Sequence, residues 1–309
     1  MLVGIFSVVQ YLYAQRYTEI LNQYRSIIAH PFCTMSVVQD AHEDQMLENH
    51  TELYLLKSGT SGGKLLQIGN RKNICDDVVQ AVCMGHGIAV LTEDNILSYY
   101  SDGKATQISN DVSSLCWNGE KLVYYDYARK AFFAWSESSM EVLTDYHQDY
   151  GIRIISNSDY LIVLSINGKH YSYHYATETW KPIAWNVASH EDCFILLDRY
   201  LIAIGWFSTG GEVYDLSEDK VIPIEMGWDG TERTTAVSMA FTEEKIYVSI
   251  KSEKLPQFKS DPITQTVEIT PHTWEVRQLD SSYHPILMIT DDILYGSDML
   301  YVKEIADIS

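Results

Sequence analysis

The chain has 309 residues, enough for one or two domains, and its 42 Asp and Glu outnumber 22 Lys and Arg to leave a formal charge of -20. That balance argues against nucleic-acid binding through phosphates, which needs a basic footprint, and against attraction to an anionic lipid surface. The five Cys include no CxxC pair and form no even framework, which argues against the usual zinc spacings and a disulfide scaffold. Cys83, Cys116 and Cys193 sit in apolar stretches and read as small buried hydrophobes. With 22 Tyr, 8 Phe and 7 Trp against 7 Pro, the composition favours pleated, half-buried strands.

In chain order, residues 2–14 (LVGIFSVVQYLYA) are apolar but too short to span a bilayer, which takes about 20 residues. No positive segment precedes them, as a signal peptide requires. Three readings fit: the end of a membrane anchor, a degenerate signal segment, or a helix packed on the domain. Ile20, Leu21, Tyr24, Ile27 and Ile28 then share one helical face, and Pro31 stops that helix. Residues 1–30 are therefore predicted as a short N-terminal helix, with membrane association expected through residues 1–14 alone. Residues 31–50 have no period and carry an acidic run at 42–48; they read as a linker with room for one strand.

Beyond residue 50 one unit recurs. Its clearest strand appears as IAVLTED (88–94), KLVYYD (121–126), YLIVLSI (160–166), YLIAIGW (200–206), KIYVSI (245–250) and DILYGS (292–297). The anchors Ile88, Leu122, Leu161, Leu201, Ile246 and Ile293 are separated by 34, 39, 40, 45 and 47 residues. One strand precedes each anchor and two follow in most copies, so the unit has four strands with the anchor second. Turn dipeptides fall where hairpins need them, at Asp102-Gly103, Asn167-Gly168 and Gly210-Gly211. Several strands per period of about 40 to 50 residues is the sequence form of a β-propeller.

The fold expected is thus all-β: a single propeller over residues 51–309, of six four-stranded blades. The sixth is a composite, with C-terminal strands PILMI, DILYG and MLYVKEI joined by ELYLLK and KLLQI from the N-terminal side. If the N-terminal piece forms its own blade, with FCTMSVV as a strand, the count is seven. Over residues 51–309 the chain resembles β-propeller repeat proteins in general. The segment VVQAVCMGHGIAVLTEDNILSYYSDG is similar to a regulator-of-chromosome-condensation repeat, with its His one place out of register; no residue role carries over from that family. The frames of the Trp-Asp repeat, kelch and sialidase families are absent.

In a propeller the loops from strand 4 to the next strand 1, and from strand 2 to strand 3, gather at one mouth, where a ligand site is expected. Three such loops are decorated: 145–150, 226–233 and 280–284. They supply His147, Asp149, Tyr150, Trp228, Asp229, Arg233, Tyr283 and His284, whose aromatic faces and carboxylates suit a sugar, a peptide or a cationic group. The bland alternative is ordinary turn and rim residues. His170 and His174 share a strand face about 13 Å apart, too far for one metal. Asp76, Asp77, Asp126, Asp192, Asp291 and Asp292 lie near strand ends, where a carboxylate pair serves glycoside hydrolysis if about 5 to 9.5 Å apart. No catalytic residue, metal or cofactor is called for. The function expected is a non-enzymatic binding propeller for a protein, peptide or carbohydrate, extracellular or cell-surface and membrane-anchored. The alternatives are an intracellular interaction scaffold in the cytoplasm and a propeller glycosidase or lyase.

Overall fold

The computed structural model describes residues 37–38, 45–48, 53–57, 63–67, 72–146, 152–165, 169–185, 193–204, 211–226, 232–241, 245–254, 263–278, 286–290, 293–296 and 302–304. The predicted helix at 1–30 lies outside them. Every described element is a strand, and every strand pairing is antiparallel.

A two-residue strand, β1 (Val37–Val38), comes first. Next are β2 (Gln45–Glu48), β3 (Leu53–Lys57), β4 (Gly63–Gln67), β5 (Lys72–Met84), β6 (Gly87–Thr92), β7 (Leu97–Ser101) and β8 (Lys104–Ser109), one seven-stranded sheet in chain order. β9 (Val112–Trp117), β10 (Leu122–Asp126), β11 (Ala131–Ser136) and β12 (Ser139–Asp145) make the next sheet. β13 (Ile152–Ser156), β14 (Tyr160–Ser165), β15 (His170–His174) and β16 (Thr179–Ile183) make another. β17 (Cys193–Leu197), β18 (Tyr200–Ile204), β19 (Gly211–Asp215) and β20 (Lys220–Ile224) form a sheet that β1 extends along the free edge of β17. β21 (Glu232–Phe241), β22 (Ile246–Lys254), β23 (Ile263–Thr270) and β24 (Glu275–Gln278) follow. β25 (Ile286–Thr290), β26 (Ile293–Gly296) and β27 (Val302–Glu304) close the chain as a three-stranded sheet.

The anchor strands are β6, β10, β14, β18, β22 and β26, each second in its unit as the repeat predicts. Their continuous apolar runs have a packing cause. Alternate side chains of one strand enter two different cores, because a neighbouring sheet covers each face. In β14, Leu161 and Val163 pack with Val123 and Tyr125, while Ile162 and Leu164 pack with Phe194 and Leu201. In β18, Leu201 and Ala203 face back towards β14, while Ile202 and Ile204 join Ile246 and Val248. β10 divides in the same way between Leu122 and Tyr124 on one side and Val123 and Tyr125 on the other. The sheets therefore stack face to face in sequence order. Their last strands, such as β8 and β12, turn mostly exposed residues outwards.

Two pairings differ from the composite closing unit. β3 and β4 hydrogen-bond with β2 and β5, and not with β25–β27. β5 explains this: its first half pairs β4 from Lys72 to Val78, and its second half pairs β6 from Val78 to Met84. One uninterrupted strand thus serves as the last strand of one four-strand unit and the first of the next. The segment containing Val37 and Val38 pairs with Ile195 and Phe194 of β17, and does not join the N-terminal strands. Between successive units, the first strands touch in series: β2 with β5, β5 with β9, β9 with β13, β13 with β17, β17 with β21, β21 with β25, and β25 with β2.

Candidate rim site

The turn chemistry of two successive units builds one rim. Asp77 and Asp111 both have left-handed backbones, with φ of 58° and 61°, a conformation that Asp tolerates better than most residues. Each lies where one unit passes to the next. The Asp77 carbonyl accepts the Glu93 N–H at 2.9 Å, and the Asp111 carbonyl accepts the Tyr127 N–H at 3.0 Å, in both cases just past strand 2. In return, the turns from strand 2 to strand 3 hold left-handed Asn95 and Lys130. Their carbonyls accept the N–H groups of Val112 at 3.0 Å and Tyr146 at 2.8 Å, at the next junctions. Junction loops and 2-to-3 turns are thus bonded to each other on the same side of the sheets.

The eight residues singled out in the sequence are expected in loops of these classes further along the chain. His147, Asp149, Tyr150, Trp228, Asp229, Tyr283 and His284 lie outside the described residues. Arg233 falls in β21, opposite Glu253 in the pairing with β22. The described flank of the first loop is Tyr146, which is buried; it stacks among Phe132 and Trp180 and accepts the Tyr125 hydroxyl on its backbone carbonyl at 3.2 Å.

Where the rim is described, a cavity of about 310 Å³ opens between the end of β8 and the β10–β11 turn. Gln107, Ser109, Asn110, Asp111, Asp126 and Arg129 line it. Asp126 is 2% exposed. Its Oδ1 accepts the Arg129 backbone N–H at 2.8 Å, and its Oδ2 accepts the Ser109 hydroxyl at 3.3 Å with Arg129 Nε at 3.6 Å. Tyr127 donates its hydroxyl to Asp111 Oδ1 at 2.9 Å. The Arg129 guanidinium lies over the Phe133 ring, 5.2 Å from its centroid. The wall therefore offers amide and hydroxyl groups beside both charge signs, the donor set for a polar ligand rather than an apolar one. Asp126 is legible in the sequence as a strand-end carboxylate, but its meeting with Asp111 is not, because Ser, Asn and Asp are ordinary turn residues.

The other strand-end acids separate. Asp76 accepts from Asn73 Nδ2 at 3.1 Å and pairs with Lys64 at 3.6 Å, a surface arrangement. Asp192, Asp291 and Asp292 lie outside the described residues. His170 and His174 sit at opposite ends of β15; His170 is buried and accepts the Ser165 N–H on Nδ1 at 3.3 Å, and His174 Nδ1 contacts Thr177 Oγ1 at 2.9 Å. Among the described residues, no three His, Cys, Asp or Glu cluster as a metal site.

Two buried carboxylates sit on the opposite side, by the 1-to-2 and 3-to-4 turns. Asp215 accepts the Ser217 hydroxyl at 2.8 Å and the N–H groups of Ser217 and Glu218, with Arg199 at 3.1 Å. Burial alone raises its pKa, but those donors and the Arg199 charge outweigh burial and lower it. Glu268 is lowered for the same reason: burial opposes, while Lys245, Arg277 and the Tyr247 hydroxyl, each at 3.1 Å, prevail. All the acceptors in these clusters are matched, so they read as turn and strand fasteners.

No family model matches the chain. No curated protein matches it either. Among 481 solved chains that do match, the crystal structure of the computationally designed Ika8 protein is similar with a TM-score of 0.51, over 88% of this chain and 96% of that one, at 9% identity. At that identity the likeness shows the all-β fold alone. Among the described residues, no helix is long and apolar enough to cross a membrane.

Proposed function

We propose that the chain is a ring-shaped β-propeller of seven units, six of four strands and a last one with three described strands, that binds a protein, peptide or carbohydrate on one rim and carries out no chemistry. The observation that carries the ring is the order in which first strands touch. The series runs from β2 through β5, β9, β13, β17 and β21 to β25 and returns to β2. A series that ends where it began leaves no uncovered terminal sheet, which is what closure of a propeller achieves. The seven-unit count follows from β5, whose two halves serve two units. On this reading β1 lies on the axial side of β17.

Binding is assigned to the rim where the junction loops and 2-to-3 turns meet. The Asp111–Asp126–Arg129 cavity supplies its polar character. The segments 145–150, 226–233 and 280–284 carry the aromatic residues Tyr150, Trp228 and Tyr283 in the sequence, and loops between rigid strands are where binding residues concentrate. The net charge of -20 favours a cationic or neutral ligand over an anionic one. The apolar run at 2–14 favours attachment at a membrane outside the cell.

The test is thermal stabilisation of the full chain against three probe sets: neutral oligosaccharides, Lys-rich peptides and Glu-rich peptides. One of the first two sets raises Tm in the wild type, unchanged in covalent structure after incubation, and Tyr150→Ala with Trp228→Ala abolishes the shift. A ligand that is cleaved, or a shift that survives both substitutions, contradicts the assignment. Fractionation of cells expressing the full-length gene tests the location; a soluble cytosolic pool contradicts anchoring.

A further inference from the structure

Among the described residues, the last strands of the sheets have no partner on their outer edge, and edges invite pairing by another chain unless they are blunted. Five of the six carry a basic residue: Lys104 on β8, Lys181 on β16, Lys220 on β20, Arg277 on β24 and Lys303 on β27. β16 and β20 add Pro182 and Pro223. β12 (SMEVLTD) has neither a basic residue nor a proline. Instead it exposes Met140 at 50% and Val142 at 59%, the two most exposed large hydrophobics among the described residues.

The register shows which backbone groups this edge offers. β11 and β12 join through the two-residue turn Glu137–Ser138, so Ser136 and Ser139 form a hydrogen-bonded pair. Pairs then alternate along the ladder. Met140 opposite Trp135 and Val142 opposite Phe133 are non-hydrogen-bonded pairs, whose N–H and C=O groups point away from β11. The two exposed apolar residues are therefore also the two that present free donors and acceptors. A bulge at the Phe132/Phe133 register shift ends the regular edge beyond Val142. The edge is short, and it is apolar in its middle.

We propose that β12 is a docking edge to which a short extended segment of a basic partner adds as a further strand. Charge selects the occupant. Two copies of this chain, each at -20, repel one another. Glu137 before the strand and Asp145 at its end have no cation within ion-pair distance among the described residues, while Glu141 is matched by Lys121 at 2.5 Å. A segment with alternating apolar side chains and Lys or Arg between them meets Met140 and Val142 on one face and the acidic ends along its length. This surface lies on the outer edge of its sheet, and the inference does not depend on the rim site or on ring closure.

The test uses the full chain and three fluorescein-labelled seven-residue peptides read by anisotropy: alternating Lys and Val, alternating Glu and Val, and the Lys/Val peptide N-methylated at alternate amides. Val142→Pro removes only an outward N–H, so the β11 ladder is kept; Val142→Lys is the second variant should the first lower Tm. The Lys/Val peptide binds the wild type, the Glu/Val peptide does not, and N-methylation or either substitution weakens binding at least tenfold. Absence of binding, equal binding by all three peptides, or binding unchanged by both substitutions overturns the proposal. So does a wild-type dimer in light scattering that Val142→Pro dissociates, which would make a second copy the occupant.

Discussion

Gln80 on β5 reaches across to the next sheet and pairs its side-chain amide with both backbone groups of Leu115 on β9. Nε2 donates to the Leu115 carbonyl at 2.7 Å, and Oε1 accepts the Leu115 N–H at 3.1 Å. One side chain thus acts as a missing strand between two sheets that share no ladder. The next pair of first strands is joined by Ser114, whose Oγ accepts the Ile154 N–H at 3.2 Å. Hydrophobic faces bring successive sheets together, but these directional bonds fix the height at which one sits against the other.

Replacing Gln80 by Met keeps most of the volume and leaves both Leu115 groups without this partner. An unmet pair in a part-buried site costs about 1–3 kcal/mol. Urea unfolding of Gln80→Met should show a loss in that range with an unchanged m-value. A loss below about 0.5 kcal/mol would mean that Gln80 does not hold the two sheets in register.

Glu268 gives the fold an acid-sensitive point. Its pKa is lowered in the folded state because three donors outweigh the burial that opposes ionisation. A lowered carboxylate contributes stability that is fully present above the unfolded value of about 4.3 and is lost as pH falls through the folded one. Glu268→Gln should therefore destabilise the protein at pH 7 by about 1–3 kcal/mol, a range kept modest because Lys245 and Arg277 are partly solvated. It should also flatten the decline of Tm below about pH 4.5. A parallel decline in wild type and variant would remove Glu268 from the acid response.

Gly87 is required by a close approach. A Cβ there would meet the Tyr100 backbone carbonyl, and would lie 2.6 Å from the Tyr99 ring. Backbone cannot yield as a flexible side chain does, so β7 must move away from β6. Gly87→Ala should cost about 1–3 kcal/mol, the scale of overpacking a filled site. Differential scanning calorimetry reads this directly; a neutral substitution would show that the β6–β7 hairpin is looser than its register implies.

Cys116 is buried between β10 and β13, and burial alone pushes its thiol well above the ordinary range. Only the thiolate reacts, so Cys116 should resist iodoacetamide at pH 8.5 for hours in the native protein and react within minutes in urea. Peptide mass spectrometry distinguishes the sites. Native modification of Cys116 would contradict the packing of β9 against the following sheet.

The repeat was legible because of how the second strands are buried. Leu161 to Leu164 enter cores on two sides, so the strand reads as an unbroken apolar run that no loop imitates. The first strands β5, β9, β13, β17, β21 and β25 were legible for a similar reason. β3 and β4 were visible as strands, yet their partners were not. β5 passes from one unit to the next through Asp76 and Asp77 with no glycine or proline to mark the step, and only the left-handed φ of Asp77 betrays it. β2 is a short, acidic QMLE segment, and nothing in its composition separates it from a linker. The described junctions and 2-to-3 turns, at Asp77, Asn95, Asp111 and Lys130, are bonded to one another, while the loop residues chosen from the sequence lie outside the described residues except Arg233. The cavity at Asp111 and Asp126 was not legible because these two residues lie fifteen positions apart in separate turns, and turn residues of this kind recur throughout the chain.

The ring itself is tested most directly by small-angle X-ray scattering of the full chain. Seven units closed through the β25–β2 contact predict a compact particle with a radius of gyration of about 19 Å, the value expected for 309 residues in one globular body. A radius above about 25 Å, with a distance distribution tailing to long separations, would describe an open row of sheets and contradict closure.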